Sequence, residues 1–225
     1  MTSRSKLVLM RFVALKVIIL VLFTQTVYCD PPEWTPIRFG VLPDTFSFPK
    51  INNVNGLSVG LPMALDGNMN GLQIGPLGAG ASRVRGLQVG GLIVATDDLI
   101  GIEIGGFANL PVMYAPITKI RGLQVAAVNY GQTVFGIQAG GINGITKLVG
   151  IQLGAVNLIE SDTMSNESGR GLQLGVINIC THQLRGVQIG LYNSADSLYG
   201  VQLGLINRIK SHRRLKIVPL MNMTF

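Results

Sequence analysis

The sequence predicts an all-β chain, a β-solenoid-like stack of about ten repeats of 14–15 residues. Three observations predict it. A Gly-apolar-Gln-apolar-Gly unit recurs along most of the chain. Apolar and polar residues alternate with period two around each Gln, which marks a strand, and the glycines disfavour helix. Turn-forming clusters such as Asp66-Gly67-Asn68, Thr96-Asp97-Asp98, Tyr130-Gly131-Gln132 and Ser194-Ala195-Asp196 separate the units. Self-similarity at a short period marks folds in which each unit buries its apolar side only against its neighbours.

The first segment, residues 1–29, reads as a secretory signal peptide. Arg4, Lys6, Arg11 and Lys16 precede the short apolar run Val17–Phe23, and Thr24–Cys29 leads into Asp30-Pro31-Pro32. A basic start, a short apolar core and a polar end have this meaning. Cys29 has two readings: it leaves with the leader, or it becomes a lipidated first residue. Beyond it, no apolar run reaches the roughly 18 residues of a helical span. Setting the leader's four basic residues aside leaves 14 basic and 11 acidic residues, a net charge of +3. That is too weak a field for nucleic acid. With 48% hydrophobic and only 13% charged residues, the chain does not have the composition of a disordered one.

Residues 30–55 are expected to form an N-terminal strand and cap. The tandem repeat domain spans 56–209. Its units begin at Gly56, Gly71, Gly86, Gly101, Gly122, Gly136, Gly150, Gly171, Gly186 and Gly200, at intervals of 15, 15, 15, 21, 14, 14, 21, 15 and 14. The third position is Gln73, Gln88, Gln124, Gln138, Gln152, Gln173, Gln188 and Gln202, with Ser58 and Glu103 in the other two copies. From the fifth copy the eighth position is Asn129, Asn143, Asn157, Asn178, Asn193 and Asn207. The two long intervals carry inserts, an apolar one at 110–119 and a polar one at 160–170. Residues 210–225 form a closing strand ending in Phe225.

Stacking of identical units predicts where side chains point. Apolar positions 2, 4 and 7, and the residue two before the next unit, are expected in the core; in one copy these are Val187, Ile189, Tyr192 and Leu198. Position 10, often small or apolar, joins them, which makes Cys180 a small core residue. Gly, Gln and the turn residues are expected to face outward, the glutamines forming a side-chain amide ladder. Such a ridge would serve weak, repeated contacts.

A second architecture fits the same units. Adding 37–43 and 215–225 gives a 12-stranded antiparallel outer-membrane β-barrel, a pore or anchor. The closing alternation Leu215, Ile217, Pro219, Met221, Met223, Phe225 then resembles an assembly signal.

No catalytic constellation emerges, and no cofactor or metal is assigned. The histidines are His182, in an expected turn, and His212. Asp97-Asp98 reads as a turn, and Glu103 as an isostere of Gln. Gly90-Gly91 and Gly105-Gly106 recur as repeat corners, not phosphate loops. Asn166-Glu167-Ser168 matches a common sequon. The cluster Arg208, Lys210, Arg213, Arg214 and Lys216 suits an anionic surface or a solvated end-cap. The expected partners are an outer-membrane or cell-surface component, and a second copy through the end repeats.

The units GLQVGGLI (86–93), GLQVAAVN (122–129) and GVQIGLYN (186–193), the opening Ile37–Pro43 and the closing Val218–Phe225 resemble a family of bacterial surface-repeat-containing proteins. The resemblance covers about residues 36–225. It implies export to the cell surface or outer membrane and no established activity. The first copies depart from the pattern through Pro62, Pro76 and their missing asparagines.

Overall fold

A computed structural model describes residues 34–41, 46–112, 118–160, 169–211 and 216–225. Residues 1–33 with Cys29 and the expected leader, the middle of the first insert, the sequon, His212, Arg213 and Arg214 lie outside these residues.

The described chain from Trp34 is all strand: β1 (Trp34–Val41), β2 (Phe46–Phe48), β3 (Asn53–Leu61), β4 (Met63–Gly75), β5 (Gly78–Gly90), β6 (Ile93–Gly105), β7 (Ala108–Leu110), β8 (Lys119–Val125), β9 (Val128–Tyr130), β10 (Thr133–Ile145), β11 (Lys147–Ile159), β12 (Gly169–Ile189), β13 (Tyr192–Ile209) and β14 (Ile217–Thr224). Coil lies on coil in parallel, and each repeat position pairs with the same position one repeat on. Gly136, Gln138 and Asn143 stand opposite Gly150, Gln152 and Asn157. This is a β-solenoid. The antiparallel barrel is not formed, because repeats meet side by side in the same direction. Only the ends are antiparallel: β2 on β1, and β14 on β13. Both terminal coils therefore carry a reversed strand along an edge that would otherwise offer free backbone groups.

Most sequence-expected turns lie within the long strands. Asp66-Gly67-Asn68 is part of β4, Thr96-Asp97-Asp98 of β6 and Ser194-Ala195-Asp196 of β13. The chain turns gradually there while keeping its backbone paired to the next coil. His182 likewise lies in β12, half-buried at a register shift.

The repeat's first glycine makes one corner. All ten have φ between +125° and +152°, a region that L side chains rarely adopt. A Cβ on Gly136 would also lie 2.1 Å from the Gly122 carbonyl oxygen. Burial then fixes the cross-section. In the Gly150 coil, Gln152, Asn157 and Ile159 face in, whereas Leu153 and Ala155 face out and Val156 is half-buried. Inward parity shifts between positions 3 and 8, so the chain bends at positions 6 and 7. The two corners bound three strips: positions −3 to −1 before the first Gly, positions 2 to 5, and positions 7 to 10.

Two apolar columns hold the stack. The residue two before each unit is buried in coil after coil, among them Val54, Met69, Val84, Leu99, Ile120, Val134, Leu148 and Leu184. Position 10 supplies Ile145, Ile159, Cys180, Ala195 and Ile209 to the same cluster. Both columns follow the sequence reading, including Cys180.

Positions 2, 4 and 7 do not. None of the residues at positions 2 and 4 is buried, and position 7 lies at the outer bend. The glutamines and asparagines take the interior instead, each at 0–1% exposure. Alternation dictates that Gln opposes both of its neighbours, but not which side faces in. The stack decides it. Amides in register satisfy one another along the axis, which removes the penalty of burying them. Position 5, on the same parity as Gln, is correspondingly tight: a Cβ on Gly154 would lie 2.5 Å from Asn143 Nδ2.

Candidate functional site

The residues singled out in the sequence come together as a buried column. Gln88, Gln138, Gln152, Gln173, Gln188 and Gln202 each donate from Nε2 to Oε1 of the glutamine one coil before, at 2.7–3.0 Å. Gln124 donates to Glu103 at 3.3 Å. The asparagines form a second column of opposite sense. Asn109, Asn129, Asn143, Asn157, Asn178 and Asn193 each donate from Nδ2 to Oδ1 of the asparagine one coil after, at 2.8–2.9 Å. Backbone contacts fix these senses. Asn143 Nδ2 also donates to Leu153 O at 2.9 Å, and Gln188 Nε2 to Ser194 O, so the nitrogens must point where the columns place them. The two rows of amide dipoles oppose each other, and neither strand of the ladder builds an uncompensated field.

Sequence reasoning missed the ends of both columns. Below Ser58 the Gln column continues into Arg38, in register and buried. Arg38 pairs with buried Asp66 at 2.5 Å, and Gln73 Nε2 donates to Asp66 Oδ2 at 2.6 Å. Asp66 thus offers the lowest glutamine a carboxylate acceptor in place of the amide oxygen that Ser58 lacks. Burial pushes its carboxyl up, against the pull of Arg38 and the hydrogen bonds from Ser58 and Gln73. The expected solvated turn at Asp66 is therefore corrected to a buried cap. The signal was Ile37-Arg38-Phe39-Gly40, a repeat unit with Arg in the Gln slot. At the other end Asn222 stands in register with Gln202 and is buried.

The Asn column begins one coil earlier than the sequence spacing indicated. Asn109 is the ninth residue of its unit, yet it pairs with Asn129. Beneath it the column turns apolar as Val94, Ala79 and Ala64, all buried. Two faults coincide at this level. Asn109 Oδ1 and Glu103 Oε2 are buried without a hydrogen-bond partner. Burial pushes the Glu103 carboxyl up to about 8, opposed by hydrogen bonds donated from Gln124 and Thr96. Burial thus favours the neutral acid, which stands in the place of an amide.

The remaining expected site residues scatter. Lys210 pairs with Asp196 at 2.5 Å, Arg208 is half-buried and Lys216 is exposed. Phe225 packs edge-on against Tyr199, with ring centroids 6.1 Å apart. Asp97 accepts from the Val112 amide at 3.0 Å, and burial pushes it up to about 6. Among the described residues no three His, Cys, Asp or Glu gather as metal ligands would. None of their helices is long and apolar enough to cross a membrane.

The outer surface is the reverse of the expected amide ridge. Row 2 runs from Ile37 through Leu57 and Ile137 to Met223, and row 4 from Phe39 through Val59 and Leu153 to Met221. Each contains twelve residues, counting β1, the ten repeats and β14, and every one is apolar. A groove follows the corner beside row 4, lined by Leu153, Leu174, Ile189, Val176 and Leu191. The strip before the first Gly differs. It exposes Arg83, Arg85, Lys119, Arg121, Lys147, Arg170 and Arg185, with Asp98 as its acid among the described residues.

Compared with family models, curated proteins and solved structures, the chain matches none.

Proposed function

We propose that the chain is an exported, non-enzymatic repeat protein with a structural role in the cell envelope. One observation carries this reading. The recurrent polar groups, Gln at position 3 in eight of the ten repeats and Asn at position 8 from the fifth repeat onward, are buried and bonded along the axis. The repeat's chemistry is spent on cohesion between coils and presents nothing to a substrate. An adhesive ridge of exposed amides has no basis in this geometry, so the role favoured is that of a rod and not of an amide-coated adhesin. The leader-like residues 1–29 and the resemblance to bacterial surface-repeat proteins support export.

Fractionation of bacteria expressing the full chain tests the reading, with mass spectrometry of the recovered N-terminus. The expected result is a processed protein in the envelope fraction, accessible to protease added to intact cells. An unprocessed protein confined to the cytosol overturns it.

A further inference from the structure

We propose that the apolar rows are a membrane-docking face. The rod lies along an anionic lipid bilayer, with rows 2 and 4 sunk to the acyl boundary and the basic strip at headgroup level. This rests on the envelope reading above and names the surface and the lipid class.

The rows are too large to be incidental. Twenty-four apolar side chains, all at least partly exposed, run in two unbroken rows, whereas soluble monomers rarely expose contiguous apolar patches beyond a few hundred Å². At about 4.8 Å per coil the strip is roughly 50 Å long. It ends in exposed aromatics: Phe39 continues row 4 and pairs in register with Phe48, which is 81% exposed.

The chemistry of the strip selects among occupants. A protein interface carries about one hydrogen bond per 100–200 Å², and these fix its register. Rows 2 and 4 contain no side chain able to make one. Every coil also presents nearly the same pair of aliphatic groups, so a protein partner, or a second copy, would find an equivalent position at each coil step. Fluid acyl chains need no register. The apolar surface also continues around the bend, where Leu92, Phe107 and Leu191 are all more than half exposed. A fluid medium covers two strips at an angle, and one flat partner covers one.

Charge selects the lipid. The strip on the far side of the first-glycine corner carries seven basic side chains and one acidic among the described residues. An apolar face edged by Arg and Lys is the pattern of a surface-lying membrane element, and anionic headgroups strengthen its binding.

The test uses the full chain, so that the leader is constant, and flotation with two vesicle types: phosphatidylglycerol mixed with phosphatidylcholine, and phosphatidylcholine alone. Two variants accompany it. In the first, Leu153→Thr, Leu174→Thr and Ile189→Thr make three neighbouring outward positions polar while keeping strand-forming residues. In the second, Arg83→Gln, Arg85→Gln and Lys119→Gln remove charge alone. Circular dichroism and thermal unfolding confirm that each variant is folded. The expected result is that the wild type floats with the mixed vesicles, the threonine variant loses at least about tenfold in affinity, and the glutamine variant loses its preference for anionic lipid. Equal binding by wild type and threonine variant overturns the proposal. So does a lipid-free dimer that the threonine variant dissolves while neither protein floats, which would make a second copy the occupant. Because vesicle binding is read in vitro, its failure leaves the envelope reading standing, and mislocalisation in cells leaves the docking face standing.

Discussion

The coils from Gly122 onward carry two complete amide columns, whereas those beginning at Gly71 and Gly86 carry one. In the later coils Asn129 through Asn207 bond one to the next. In the earlier coils the same column is Ala64, Ala79 and Val94. Both versions are buried. A stacked column therefore need not be polar; it must be uniform. A run of amides satisfies itself and so does a run of aliphatics, and the penalty falls where one meets the other. That junction is the coil beginning at Gly101, where Asn109 Oδ1 has Val94 beneath it and Glu103 interrupts the glutamines.

The largest effect is expected from placing such a junction within the later coils. Gln152→Leu removes the acceptor of Gln173 Nε2 and the donor to Gln138 Oε1. Two buried amide groups lose partners at about 1–3 kcal/mol each, so the stability loss should be about 4 kcal/mol in urea unfolding. Polarised chains of hydrogen bonds add to this. A loss below about 1 kcal/mol, the ordinary value of a single replaced hydrogen bond, would show that uniformity does not govern the column.

Next comes the existing junction. Glu103 has its folded pKa raised from 4.5 to about 8, chiefly by burial. The folded state then holds a proton that the unfolded state releases between those values. Stability is fully present below pH 4.5 and falls by at most about 1.4 kcal/mol per pH unit until about pH 8, then levels. Glu103→Gln removes this slope and restores an amide to the column, where Gln88 Oε1 already accepts from the Thr96 hydroxyl. The gain should be near zero at pH 4.5, about 3 kcal/mol at pH 7 and greater at pH 8, read from denaturation midpoints across that range. A gain independent of pH would mean that Glu103 is ionised and paired in the fold.

How much of this was legible in the sequence follows from the same logic. Period, strand direction along the repeat, the glutamine column and the buried column of Val84, Leu99 and Leu148 all follow from recurrence, because stacking places like on like. The inward side of the strand did not follow. A general preference for burying aliphatics chose Leu153 over Gln152, and that preference fails where a polar group finds its partner in its own repeat. The glycine at position 5 held the missing information: it shares the parity of Gln152, and an open surface has no reason to require a residue without a side chain. Arg38 and Asn222 were obscured because capping residues must differ from the column they end. Asn109 was obscured by a one-residue offset that only the pairing with Asn129 reveals.

The smallest effect gives the sharpest test of uniformity. Val94→Asn places an amide directly beneath Asn109 and nearly matches valine in volume. Its Nδ2 would donate to Asn109 Oδ1 and follow the sense of the column above. That satisfies the orphaned oxygen. The new Asn, however, stands on Ala79, which offers no amide donor, so its own Oδ1 inherits the fault one coil lower. Satisfying one buried oxygen and creating another should nearly cancel, leaving stability within about 0.5 kcal/mol of wild type, as for a surface change, although a buried valine has become polar. An isolated buried Val→Asn elsewhere, such as Val84→Asn in the apolar column between Met69 and Leu99, has no amide neighbour and should lose about 3 kcal/mol. Urea unfolding of the two variants side by side separates the effects. If both are equally destabilised, the amide column does not extend itself by one residue, and the difference between the early and late coils must come from their outer bends and not from their interiors.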